Sequence, residues 1–206
     1  NDLKAERELA YLYDAANQTR TSILKQIEGD WQTLEGWLLA QELVILDENQ
    51  ILTILNDINE ENAFIRMGYA DINGNARMVD MEGNVEEVNL KGMIFFERAL
   101  QGEKSISNTF ADQQDASGYI NYFGVRINDG SGNARGVLCA VHSAVVLREI
   151  IDAPVLKGAG YSNILDANGN YVLKTIKTFE GDILPDNKEK IAEVIRDTGR
   201  GDFILT

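Results

Sequence analysis

Two stretches of this chain carry the same pentapeptide pattern, Asp-x-Asn-Gly-Asn, at 71–75 and at 166–170. Each stands between runs rich in strand formers: Phe64 to Ala70 and Ala76 to Met81 around the first, Tyr161 to Leu165 and Tyr171 to Ile176 around the second. Asn-Gly supplies the positive backbone angles that a tight hairpin needs, so both are read as hairpin turns. After a polar loop the first is followed by a short apolar helix, Gly92 to Leu100, with Gly102 behind it. The second has a counterpart in Ile191 to Ile195 and Gly199. Hairpin and helix recurring together point to a duplicated module.

The remaining elements fall in order around this seed. From Leu3 to about Ala40, apolar residues at Leu9, Leu12, Ala16, Ile23, Ile27, Trp31, Leu34 and Leu38 follow helical spacing with no proline to interrupt them. A helix of that length must project or pair. It fits a two-stranded parallel seam with a partner chain, a connector descending from a membrane span, or both. Asp47-Glu48-Asn49 caps a second helix from Gln50 to about Asn59. Ser105 to Ala111 and Tyr119 to Asn128 read as strands. Asp129-Gly130-Ser131-Gly132-Asn133 turns the chain into a further strand, Ala134 to His142, before a helix that opens at Ser143.

The predicted fold is α+β, with a long N-terminal helix and antiparallel sheets of about five strands of PAS-like layout, the second incomplete. The predicted divisions are 1–60 for the helical stalk and packing helices, 61–156 for a first module and 157–206 for part of a second. The chain is expected to be a piece of a larger protein, because the second copy stops where its third strand should begin.

Composition narrows the function. A formal net charge of -14 over 206 residues opposes nucleic acid or anionic lipid as a direct partner, since phosphate contacts need Lys or Arg. The single Cys139 excludes an intrachain disulfide, and with apolar neighbours it reads as a small buried hydrophobe. The single histidine, His142, leaves no zinc-ligand set. No phosphate loop, dinucleotide fingerprint or Gly-x-Ser-x-Gly is present, and no metal or cofactor is expected. The Asp-x-Asn-Gly-Asn segments lack the glycine position and the closing Glu of an EF-hand. Arg200-Gly201-Asp202 reads as a turn.

The run Leu90-Lys91-Gly92-Met93-Ile94-Phe95-Phe96-Glu97-Arg98-Ala99, the strand Gly136 to Val141, the segment Tyr161 to Asn170 and the long first helix together resemble the double Cache sensor domains of bacterial chemoreceptors, histidine kinases and diguanylate cyclases. The resemblance implies an extracytoplasmic position in the cell membrane, a membrane-distal module with a small-molecule pocket, a membrane-proximal module, and flanking transmembrane helices. Amino-acid-binding members carry Arg-x-Trp-Tyr where this chain has Met93-Ile94-Phe95-Phe96, and an aspartate near Ala140 or Val141. Neither the arginine nor that aspartate is present here.

A pocket is expected between the sheet and the Gly92 to Leu100 helix. Strand alternation puts Ile120, Tyr122, Gly124 and Arg126 on one face, and Leu138, Ala140 and His142 on one face of the neighbouring strand. Tyr122, Arg126 and His142 are the candidate polar groups. Tyr69, Met93, Phe95, Phe96 and Phe110 are the apolar ones. The expected function is ligand sensing, with a possible homodimer through the first helix. The alternatives are a ligand-free structural module and an enzyme whose site the sequence does not reveal.

Overall fold

The computed structural model describes residues 2–40, 46–59, 64–113, 118–153, 160, 162–165, 168–173, 175 and 184–198. Its contacts divide into two compact units, one of residues 24–144 and one formed by 1–23 with 145–206. Helix α1, Asp2–Ala40, runs through both. The second half of α1 thus belongs to the sheet's unit. No described helix is long and apolar enough to cross a membrane.

In the larger unit, α2 (Glu48–Asn59) begins at a reciprocal cap. The backbone N–H of Gln50 donates to Asp47 Oδ1 at 2.9 Å, and Asp47 N–H donates to Gln50 Oε1 at 2.9 Å. The strands are β1 (Phe64–Asp71), β2 (Asn75–Asp80), β3 (Val85–Asn89), β4 (Ser105–Ile106), β5 (Phe110–Ala111), β6 (Tyr119–Asn128) and β7 (Ala134–Ser143), with helix α3 (Ile94–Leu100) between β3 and β4. They form one seven-stranded antiparallel sheet in the order β3-β2-β1-β7-β6-β4, with β5 also paired to β6. Helix α4, Ala144–Ile151, follows β7 directly.

Two features depart from the sequence reading. The loop after Met81 contains a strand, β3, whose Val-Glu-Glu-Val-Asn sequence lacks clean alternation because it is an acidic edge strand. The strand expected over Ser105 to Ala111 is broken in two. At the break Ser107 holds β6 with its side chain, its Oγ accepting from Tyr122 N–H at 2.8 Å, and Asn121 Nδ2 donates to Ser107 O at 3.1 Å. Side-chain bonds there supplement the backbone bond from Ser107 N–H to Tyr122 O at 2.8 Å.

The turns share one construction. In 71–75, 80–84 and 129–133 the leading Asp accepts through Oδ1 from the backbone N–H groups two and four residues on, at 2.8–2.9 Å. Through Oδ2 it accepts from the closing Asn side chain. The glycine at the fourth position takes φ near +85°, as at Gly74.

In the smaller unit β8 (Ile164–Leu165) pairs antiparallel with β9 (Tyr171–Leu173), and α5 covers Leu184–Thr198. Thr175 ties this hairpin down, donating its N–H to Asn163 Oδ1 at 2.8 Å and its hydroxyl to Asp152. Asp166, Gly199 and Arg200-Gly201-Asp202 lie outside the described residues.

Candidate functional site

Register decides which residues meet. Across β6 and β7 the opposed pairs are Tyr122 with Val141, Gly124 with Cys139 and Arg126 with Val137, while Asn121 opposes His142 and Phe123 opposes Ala140. Opposed residues share a face. Across β1 and β7, Arg66 opposes Val141 and Gly68 opposes Cys139, whereas Tyr69 opposes Leu138.

One face therefore carries Arg66, Gly68, Ala70, Tyr122, Gly124, Val137, Cys139 and Val141. Helix α3 lies on this side, its Phe95, Phe96 and Ala99 sharing a core with Tyr122, Val137, Cys139 and Val141. The approach is close at Gly124, where a Cβ would sit 2.9 Å from Ala99 Cβ. The Tyr122 ring stacks on Phe95 at 5.4 Å and on Phe110 at 5.5 Å. Met93 packs half-buried against the same core at the start of α3.

Arg66 and Asp112 join this face as a buried ion pair that the sequence reading did not single out. Arg66 NH2 donates to Asp112 Oδ2 at 2.8 Å, with each residue 6% exposed. Arg66, Val141 and Tyr122 form one row across three strands. Burial pushes the Tyr122 phenol up to about 12, with the positive Arg66 working against it. At neutral pH the phenol is therefore protonated and can donate. The sequence did carry a signal for the pair: Arg66 is the lone charge in the run Phe-Ile-Arg-Met-Gly-Tyr-Ala, and a charge in a buried strand needs a mate.

The other predicted residues are dispersed. Tyr69 and His142 belong to the opposite face and do not join Tyr122. Tyr69 donates its hydroxyl to Arg135 O at 3.0 Å, with the Arg135 guanidinium 6.0 Å from its ring centre. His142 is fully buried, edge-on to Phe64 at 5.9 Å and to Phe123 at 6.2 Å. Arg126 lies on the α3 face but at its far end, donating to Asn128 Oδ1, to Gly132 O at 3.1 Å and to Leu100 O at 3.5 Å. It fastens the β6–β7 turn to the end of α3. It also lines an open cleft with Leu38, Leu39 and Gln101. Burial raises the Cys139 thiol, which keeps it protonated.

No family model matches the chain and no curated protein matches it. Solved structures do. The ligand-binding domain of the Pseudomonas aeruginosa amino-acid chemoreceptor PctC, solved with GABA, superposes with TM-score 0.63 at 21% identity over 80% of this chain and 74% of that one. The ligand-binding domain of the Pseudomonas fluorescens chemoreceptor CtaA, solved with L-leucine, gives 0.65 at 16% identity over 84% and 73%. The sensory domain of the Campylobacter jejuni chemoreceptor Tlp3, solved with isoleucine, gives 0.54 at 15% identity over 88% and 81%. The fold expected from the resemblance to double Cache domains is thus the fold these structures share with this chain.

Proposed function

We propose that this chain is the small-molecule-sensing domain of a bacterial transmembrane signalling protein, held outside the cytoplasm between flanking membrane helices. In this reading it binds its ligand on the α3 face and passes a change in arrangement along α1 to an output domain. It is a binding domain, not an enzyme, and α1 pairs with that of a second copy. The hairpin-then-helix order of β8, β9 and α5 supports reading the smaller unit as a partial second module.

The observation that carries the proposal is the buried Arg66–Asp112 pair beside the protonated Tyr122 and the stacked rings of Phe95 and Phe110. The pair can trade its internal bond for a ligand's charges, a carboxylate on Arg66 or an ammonium on Asp112. The neighbouring aromatic rings supply apolar surface. Because Met93-Ile94-Phe95-Phe96 replaces the arginine-bearing run of amino-acid-binding relatives, the ligand is held differently from a standard α-amino acid. Signalling requires that the ligand prefer one arrangement, since equal affinity for two shifts nothing.

The packing of α3 onto Gly124 favours a second reading, in which this face is a filled core and the domain only assembles. A thermal-shift screen against organic acids, amines, amino acids, purines and sugars separates the two. A ligand of the folded state raises Tm with concentration. The sensing reading requires a saturable hit lost in Asp112→Asn. A screen without hits, joined to unchanged Tm at millimolar ligand, supports the scaffold.

A further inference from the structure

Helix α3 and the second half of α1 lie on opposite faces of the sheet. Phe95 of α3 stacks on Tyr122, Trp31 of α1 meets Phe123 edge-on at 5.8 Å, and consecutive strand residues point to opposite sides. The sheet ends at β4, and the chain that leaves α3 enters β4 at Ser105. Lys104 is the last residue before that edge. Its ammonium donates to Glu28 Oε1 at 2.9 Å and stands 3.3 Å from Glu35 Oε2. One side chain thus reaches from the end of the α3 connection to two carboxylates of α1.

Both ends of this contact are well placed. On α1 the two glutamates lie about two helical turns apart, and each follows a residue of the buried stripe, Ile27 or Leu34. They stand at the margin of the surface that α1 lays on the sheet. On the other side, α3 closes with Gly102 N–H donating to Ala99 O at 2.9 Å and Glu103 N–H to Arg98 O at 3.1 Å. These are the paired bonds of a Schellman motif, with Gly102 at φ +87° in the left-handed region. Arg126 holds Leu100 O at 3.5 Å, and Ser105 pairs with Gly124 on β6. The connection Gln101–Lys104 is therefore bonded at both ends, and a shift of α3 is carried to Lys104 instead of being absorbed in a slack loop. Beyond Glu35, α1 and this connection face each other across the open cleft lined by Leu38, Leu39, Gln101 and Gly102.

We propose that Lys104 couples the two faces of the sheet, making the seating of α1 depend on the position of α3 through Glu28 and Glu35. A displacement of α3 moves the ammonium relative to the two carboxylates, and loss of either bond loosens the hold on α1. The dependence is reciprocal: whatever loosens α1 at these glutamates loosens the last turn of α3 by the same factor. The three side chains are 39–46% exposed, so the coupling is modest and falls with salt. As a route for a ligand's signal the link rests on the sensing reading. As a mechanical contact it does not.

The experiment measures amide hydrogen exchange of the whole chain, without ligand and at low ionic strength. It compares the wild type, Lys104→Met, Glu28→Gln with Glu35→Gln, and the variant carrying all three changes. All three side chains are exposed, so the fold is kept, and the buried Leu138–Val141 of β7 report any global loss of stability. Changing only the α1 glutamates is expected to speed exchange at Arg98–Glu103 about twofold to fivefold, the scale of exposed ion pairs. Lys104→Met speeds exchange at Glu28–Glu35 by a similar factor. The triple variant adds nothing further, and β7 is unchanged throughout. Exchange at Arg98–Glu103 that ignores the α1 glutamates overturns the proposal, as do effects that sum in the triple variant or a rise shared equally by β7. No ligand enters this test, so a failed link and a failed sensing reading are told apart.

Discussion

The two faces of the central sheet are built from the same strands and differ in how their polar groups are matched. On the α3 face Arg66 and Asp112 meet as complementary charges, beside a phenol that remains a donor and aromatic rings that cover it. On the opposite face Asp30 and His142 are buried with side-chain atoms that have no hydrogen-bond partner among the described residues. A matched pair can be opened by a ligand that supplies the same two charges. Alternate residues of β6 and β7 thus face two differently matched layers on either side of one sheet.

The largest effect that could break this comparison is Arg66→Ala, which takes the guanidinium away from a buried carboxylate. Breaking such a pair from one side costs about 3–5 kcal/mol, whereas replacing both partners by apolar residues is often nearly neutral. The unfolding midpoint in denaturant should therefore fall sharply in Arg66→Ala and recover in Arg66→Met with Asp112→Leu. A single-variant loss below about 1 kcal/mol, the scale of an exposed pair, would show that the pair is not buried as a unit.

Next in size are Phe95→Ala and Phe123→Ala, one on each face, each expected to cost about 3–5 kcal/mol by the usual scale for buried aromatics. The same denaturation experiment should find them similar in stability. Calorimetry with a screened ligand should separate them, with binding lost in Phe95→Ala and kept in Phe123→Ala. Equal loss of binding would merge the two faces into one functional surface.

A smaller effect belongs to the turns. The Asp129 carboxyl is held below its usual range by the backbone N–H of Asn133, with Ser131 N–H and the Asn133 amide adding to it. Its folded value is depressed, so the stability it lends is present above the unfolded value and is lost as pH falls through the folded one. Asp129→Asn should flatten the acid limb of the Tm profile slightly. An unchanged acid limb would show that the carboxylate bonds are not maintained in solution.

These turns also show why the pentapeptide alone does not establish a duplication. The Asp-x-Asn-Gly-Asn match pointed to a duplication, yet Asp80-Met81-Glu82-Gly83-Asn84 and Asp129-Gly130-Ser131-Gly132-Asn133 use the same bonds in turns of the larger unit. The pattern is a solution to a hairpin and recurs because it works. What still supports a repeat is the order of hairpin and helix, not the pentapeptide. The long helix, the capped α2 and the β6–β7 hairpin were legible because each carries its own periodicity and its own stop signals.

The site was legible in part. Alternation within β6 and within β7 was read correctly, but the face on which the two sets meet depends on register. Asn121, not Tyr122, opposes His142, and one residue of offset moves a whole set to the other side. Arg66 was hidden for a related reason. A bulge between Phe64 and Arg66 breaks the alternation of β1, sending Phe64 to the His142 side and Arg66 to the Tyr122 side. Asp30 was visible as an acid within the apolar stripe of α1, but only the structure shows that it is buried there.

The most direct test of the account is calorimetry of a screened ligand against the wild-type chain, Asp112→Asn and Tyr69→Phe, the last altering the opposite face at a residue that holds Arg135 O. The account predicts that Asp112→Asn weakens binding at least tenfold, about 1.4 kcal/mol, and that Tyr69→Phe leaves it unchanged. Binding that survives Asp112→Asn and fails in Tyr69→Phe would place the ligand on the α1 side and contradict the division between the two faces.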